Sequence, residues 1–89
     1  MSESIELRIQ TVLEVGQGDE SRDELLAEGY ARALGLDAER LELEREITAL
    51  AARADDADNA QRLRKAWLRH RTVMADLREL RALLRQLKA

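Results

Sequence analysis

The stretch that decides the fold is residues 60–88, AQRLRKAWLRHRTVMADLRELRALLRQLK. Two sets of positions recur in it every seven residues, the second set three residues after the first: Leu63, His70, Leu77 and Leu84, then Ala66, Val73, Leu80 and Leu87. This heptad pattern, sustained over four repeats, predicts one long, coiled-coil-like amphipathic helix that packs against other helices. Neither Gly nor Pro interrupts it, and Arg85 and Lys88 suit the negative end of the helix macrodipole.

The composition of the 89-residue chain limits the class of protein. It contains no Cys, Pro or Phe, whereas Ala, Leu, Arg and Glu, which favour helices, are abundant. The length suits one helical domain, 1–89, and without Cys there is neither a disulfide nor a thiolate zinc site. Charged residues make up 37%, and no run of about 18 apolar residues is long enough to cross a membrane. The first residues lack the basic and apolar regions of a secretory signal. We therefore expect an all-α, cytoplasmic protein without membrane contact.

Three shorter helices are predicted before the long one, over about 4–15, 22–34 and 38–54. In the first, Ile5, Ile9 and Val12 share one side of a helix, although the alternation of Ile5, Leu7 and Ile9 leaves an extended segment as the alternative. Residues 16–19, Gly-Gln-Gly-Asp, then break the pattern.

Local signals at both ends define the second and third helices. Ser21 and Glu24 match a capping box, which predicts a helix start. Gly35 stands where a helix end favours a left-handed residue, and Asp37 after it is a typical N-cap. Gly29 lies inside the second helix, where we expect it to permit close approach of another helix.

About five residues join the third helix to the fourth, which predicts an antiparallel hairpin folded about residue 57. That register places Ile47 near Trp67 and Leu43 near His70. The fold class expected from the sequence is therefore a small all-α helical bundle built on this hairpin.

The charge is divided along the chain. Residues 1–58 hold 16 acids and 6 bases, and residues 59–89 hold 2 acids and 9 bases. The favoured interpretation is that the two parts fold against each other, with Glu42, Glu44 and Glu46 close to Arg69 and Arg71. The alternative is that the basic part binds nucleic acid. Its candidate contacts are Arg62, Arg64, Lys65, Arg69 and Arg71.

The length of the fourth helix suggests a partner. Its 29 residues span about 43 Å, whereas the third helix covers only about 27 Å of it. Leaving the last leucines in water is unfavourable, because burying each contributes about 1.5–3 kcal/mol. We expect a second copy of the chain to cover them, with coverage by the first two helices as the alternative. The predicted interface consists of Trp67, His70, Met74, Leu77, Leu80, Leu83, Leu84 and Leu87.

No pattern in the sequence indicates a catalytic, cofactor or metal site. His70 is the single histidine and has no Glu three residues before it, so it does not match the helical di-iron motif. We expect it to be partly buried and bonded to a glutamate of the third helix. The acidic run at 55–59 lacks the Gly and Glu of a calcium-binding loop.

The function expected from these patterns is that of a non-enzymatic protein–protein interaction module, homodimeric, with a regulatory or adaptor role. Its alternative is a nucleic-acid-binding protein that uses the basic stretch of the last helix.

Overall fold

The computed structural model describes residues 4–16 and 21–89. These residues form three α-helices, α1 (Ile5–Val15), α2 (Arg22–Ala51) and α3 (Ala57–Lys88). No strand occurs within the described ranges, and α2 packs mostly against α3. The predicted all-α helical bundle is therefore confirmed.

The first segment is a helix rather than an extended strand. Its N-cap is Ser4, whose Oγ accepts a hydrogen bond from the Leu7 amide at 3.2 Å. It ends at Gly16, which has a left-handed φ of 78° and donates its amide to the Val12 carbonyl at 2.8 Å. Ile9 and Val12 are buried. The rest of the predicted break, residues 17–19, lies outside the described residues.

The prediction of two separate helices over 22–34 and 38–54 is wrong, because α2 runs unbroken through Gly35 and Asp37. Gly16 is the one glycine with a positive φ in the described part of the chain, so Gly35 does not adopt the left-handed conformation of a helix end. Asp37 does not cap a helix and instead accepts a hydrogen bond from Arg40 Nε at 2.9 Å. Ser21 is the N-cap of α2, but its side chain makes no capping bond among the described residues.

The burial of one helix face explains why α2 continues. Gly29, Leu36, Leu43 and Leu50 are seven residues apart, and the first three are buried while Leu50 is half-buried. A break at Gly35 would displace this face from α3. An internal glycine costs a helix about 1 kcal/mol. Burying one leucine contributes about 1.5–3 kcal/mol, so the packing of the whole face outweighs the local preference.

The turn between α2 and α3 covers residues 52–56. The Asp56 side chain caps α3 by accepting from the Asp58 amide at 2.9 Å, so the helix begins at Ala57 rather than at about residue 60. The two helices run antiparallel: Glu44 bonds to His70 near the turn, and Arg22 donates to the Leu87 carbonyl at the far end, at 3.3 Å. The hairpin therefore folds about residue 57, as the sequence predicts.

The leucines at the end of α3 are covered by the chain itself. Leu80, Leu83, Leu84 and Leu87 are all buried. The first half of α2, which the sequence prediction did not extend along α3, lies beside them, and α1 packs against both helices at this end. The premise that a second copy must cover these leucines is wrong, and the alternative of coverage within one chain is what the structure shows.

The molecule is elongated. Its principal extents are 55 × 21 × 18 Å and its radius of gyration is 16.9 Å, against about 12 Å for a compact globule of this length. The 11 residues of α1 span about 16 Å, roughly a third of the length of α2. They pack beside the first part of α2, where Arg8 bonds to Glu28 at 2.6 Å. The part of the hairpin next to the turn is therefore a pair of helices without a third.

Two glycines of α2 give a direct test of this packing. A Cβ at Gly29 would collide with the Leu84 side chain and lie 3.6 Å from Ile9 Cδ1, whereas no described atom lies within 4 Å of one at Gly35. We expect Gly35→Ala to raise the free energy of unfolding by about 0.5–1 kcal/mol, because Ala favours a helix. Gly29→Ala should lower the free energy of unfolding by up to about 2 kcal/mol, because the collision with Leu84 costs more than the helix preference of Ala contributes.

Urea unfolding followed by circular dichroism measures both effects, and each variant is the control for the other. A destabilised Gly35→Ala protein would contradict the continuous helix, because it would indicate a left-handed residue at that position.

Candidate interaction groove

An open groove of about 860 Å³ follows the first two-thirds of α3. We call it the α3 groove. Its lining consists of Ala60, Leu63, Trp67, Leu68, Met74 and Ala75 together with Arg64, His70, Arg71 and Arg78. The surface is therefore apolar with cationic side chains, and no carboxylate lines it.

Two large apolar side chains in the groove are largely in contact with solvent. Trp67 is 54% exposed and Leu68 is 58% exposed. Isolated exposed apolar residues are common on proteins, but here Leu63 and Met74, both half-buried, line the same groove. Together these side chains form one contiguous apolar surface on α3, which is a candidate site for binding another molecule.

Trp67 lies against a hydrogen-bonded neighbour. The His70 ring packs edge-to-face on the indole, with ring centroids 5.7 Å apart and planes at 85°. His70 Nε2 lies 2.9 Å from Glu44 Oε2, as the predicted bond to a glutamate of the preceding helix requires. The side chains of α2 therefore help to hold the orientation of the tryptophan on α3.

Glu44 belongs to a chain of polar contacts that connects α2 with α3. Arg40 donates to Glu44 at 3.0 Å and to Asp37 at 2.9 Å, and Arg81 lies 3.8 Å from Asp37. The hydrogen bond with His70, followed by that with Arg40, lowers the pKa of Glu44. Both carboxylates in this chain of contacts are thus hydrogen-bonded within the molecule.

The predicted interface residues divide into two groups in the structure. Trp67, His70 and Met74 line the α3 groove. The others are buried in the core of the chain itself: Leu77, Leu80, Leu83, Leu84 and Leu87. The uncovered surface was predicted at the second half of the helix, whereas the structure places it at the first half. The difference arises because α2 is longer than the helix predicted over 38–54, so it also covers the second half of α3.

The basic stretch does not form one surface. Arg62 pairs with Asp58 at 3.3 Å, and Arg69 pairs with Glu39 at 2.7 Å, which differs from the predicted partners Glu42 to Glu46. Arg64 and Arg71 line the α3 groove, whereas Lys65 is exposed outside it.

Some residues that line the groove were not among those predicted from the sequence. Leu68 falls outside the heptad positions, and Arg78 lies after the basic stretch. A signal for Arg78 was present, because it stands seven residues after Arg71 and fourteen after Arg64. No comparable signal marks Leu68, whose exposure depends on how the helices pack.

The described residues contain no group of three or more His, Asp or Glu side chains placed to hold a metal ion. None of the helices in the described part of the chain is both long and apolar enough to cross a membrane.

Comparison with known proteins adds no relative. No family model matches the chain, and neither the curated proteins nor the solved structures include a significant match.

The contacts between the helices predict a dependence of stability on pH. Hydrogen bonds from His70 to Glu44 and from Arg69 to Glu39 lower the pKa of each carboxyl below its ordinary value of 4.5. A lowered pKa means that the unfolded chain binds more protons in acid, so the contribution of these two carboxyls to stability is present above pH 4.5 and is lost as the pH falls below it. We expect the melting temperature to decline below this pH.

The double variant Glu39→Gln, Glu44→Gln isolates the contribution of these two groups. Its melting temperature at pH 7 should be lower than that of the wild type, and its decline between pH 4.5 and pH 3 should be shallower. Equal declines in the two proteins would show that these ion pairs do not contribute.

Proposed function

We propose that the protein is a non-enzymatic interaction module that binds a helix of another protein in the α3 groove. The observation that supports this proposal is the contiguous apolar surface around Trp67 and Leu68, which are both more than half exposed and line one groove with Leu63 and Met74. A groove between or beside helices is a common binding site for an amphipathic helix, which inserts side chains spaced three and four residues apart.

Trp67 has the properties of an interface anchor. Tryptophan is enriched among the residues that dominate binding energy, and a partner would remove its exposed half from water. Its contact with His70 limits the freedom of the indole before binding, so less side-chain entropy is lost when a partner arrives.

Nucleic-acid binding, the alternative from the sequence, has weaker support. Two of its five candidate cations, Arg62 and Arg69, are already paired with carboxylates of this chain. Phosphates attract cations and gain nothing from the apolar side chains that occupy the rest of the groove. The homodimer expected from the sequence has also lost its main support, because the leucines that required it are buried.

A pair of matched variants tests the proposed function. Leu68→Glu places a charge in the groove, and Leu7→Glu places the same charge on α1 at a leucine of similar exposure, 48%. Both proteins should fold as the wild type does. We expect affinity capture with wild-type and Leu7→Glu baits to retain a protein that the Leu68→Glu bait loses.

The captured protein must then be purified and its affinity measured by calorimetry. We expect Leu68→Glu to weaken binding at least about tenfold, since burying a charge against an apolar surface is costly. The proposal fails if Leu68→Glu binds as the wild type does. It also fails if the wild type retains duplex DNA or RNA in a salt-dependent gel shift and Leu68→Glu has no effect on protein capture.

A further inference from the structure

A row of arginines accompanies the α3 groove. Arg64, Arg71, Arg78 and Arg85 stand at intervals of seven residues along α3. The first three line the groove beside Trp67 and Met74. All four are exposed, and in the described part of the chain no carboxylate forms an ion pair with any of them.

The surface that carries this row continues along the hairpin. Arg78 and Met74 also line a smaller depression together with Arg81 and Arg85. Arg81 and Arg85 in turn line a depression against α2 that includes Tyr30, Leu34 and Asp37, whose carboxylate lies 3.8 Å from Arg81. None of the residues of α1, all of which are described, lines these depressions. The row therefore lies on a side of the hairpin that α1 does not cover.

The seven-residue spacing matches the repeat of packed helices. Two helices that pack lengthwise return to equivalent contacts every seven residues, about every 10.5 Å, and charged residues beside the apolar seam select the partner. Arg64, Arg71 and Arg78 beside the apolar positions of the groove have this arrangement. The complement is a helix with an apolar stripe and an acidic residue every seven positions.

The chain itself does not supply that helix. Its sequence has two pairs of acids seven residues apart, Asp37 with Glu44 and Glu39 with Glu46. Three of these four are already bound within the molecule, Asp37 by Arg40, Glu44 by Arg40 and His70, and Glu39 by Arg69. A symmetric contact between two α3 grooves would also bring the two arginine rows together, and like charges repel.

We infer that the partner in the α3 groove is an acidic amphipathic helix of another protein, which Arg64, Arg71 and Arg78 recognise through carboxylates spaced seven residues apart. This inference rests on the proposed function and adds the chemistry of the partner to it. The net charge of the chain is −3, so a preference for an acidic helix arises from the local row and not from the protein as a whole.

Two synthetic peptides test the inference with the full-length chain. Each is a three-heptad helix without Trp, with Leu and Ala on its apolar stripe; the first has Glu beside the stripe in every heptad and the second has Lys there. Trp67 is the single tryptophan of the protein, so its fluorescence reports directly on the groove. We expect the Glu peptide to shift the Trp67 emission to shorter wavelength and to bind at least about tenfold more tightly than the Lys peptide in 20 mM salt. The difference should shrink in 500 mM salt, because exposed ion pairs are screened.

Charge reversal on the protein is the decisive comparison. The triple variant Arg64→Glu, Arg71→Glu, Arg78→Glu should prefer the Lys peptide, whereas Lys65→Glu, outside the groove, should keep the preference of the wild type. Circular dichroism and the melting temperature verify that both variants are folded. An unchanged preference in the triple variant would overturn the inference.

Other outcomes separate this inference from the proposed function. Equal, tight binding of both peptides at Trp67 would overturn the acidic partner and leave the groove as a binding site for helices. If neither peptide changed the Trp67 emission, the inference of an acidic partner would be overturned. The affinity capture with the Leu68→Glu bait would then be the remaining test of the proposed function. A dimer in sedimentation equilibrium that Leu68→Glu dissociates would assign the groove to a second copy, and a Trp67 response to duplex DNA alone would assign it to nucleic acid.

Discussion

The lengthwise packing of α2 on α3 is the contact on which the rest of the structure depends. The two helices have nearly equal length, 30 and 32 residues, and run antiparallel. The buried leucines of α3 pack mostly against α2, and Gly29 on α2 admits the Leu84 side chain, with which a Cβ at this position would collide. A chain of 89 residues can form only a small hydrophobic core. The contact between α2 and α3 supplies most of that core, and α1 adds Ile9 and Val12 at one end.

The open groove follows from the same packing. α2 covers one side of α3 along its whole length, and α1 packs only beside the first part of α2. One side of the hairpin is therefore left without a third helix. Trp67 and Leu68 are more than half exposed on α3, and no residue of α1 lines the groove that contains them. The chain of contacts from His70 through Glu44 to Arg40 and Asp37 then holds His70, which lines the groove, against α2.

The long helix α3 could be predicted from its sequence because its heptad pattern is uninterrupted and agrees with its local helix preference. The same reasoning failed for α2, where local and long-range signals conflict. Gly35 and Asp37 resemble the end of one helix and the start of another, while Gly29, Leu36, Leu43 and Leu50 continue one face across them. A glycine within that face weakens the apolar pattern. The free energy that keeps α2 continuous comes from burial against α3, and a short stretch of sequence around Gly35 does not reveal that contact.

The candidate site was predictable in part for a related reason. Trp67, His70 and Met74 were predicted from the sequence to contact a partner, and the structure places them in the α3 groove. The bond from His70 to a glutamate followed from the hairpin register. The leucines after Met74 were assigned to a partner because α2 was taken to be short. Which side of α3 stays exposed depends on where α1 docks, and the sequence of α1 alone does not specify that position.

The distance between two spin labels on α2 shows directly whether this helix is continuous and as long as α3. The chain has no cysteine, so Asp23→Cys and Ala49→Cys would carry the labels without further changes, and both positions are exposed. A continuous helix separates these Cα atoms by 26 residues, or about 39 Å. Pulsed dipolar spectroscopy should therefore give one narrow distribution near that distance, unchanged when unlabelled protein is added. A broad or much shorter distribution would mean that the chain breaks near Gly35, and the account of the core and of the open groove would then be wrong.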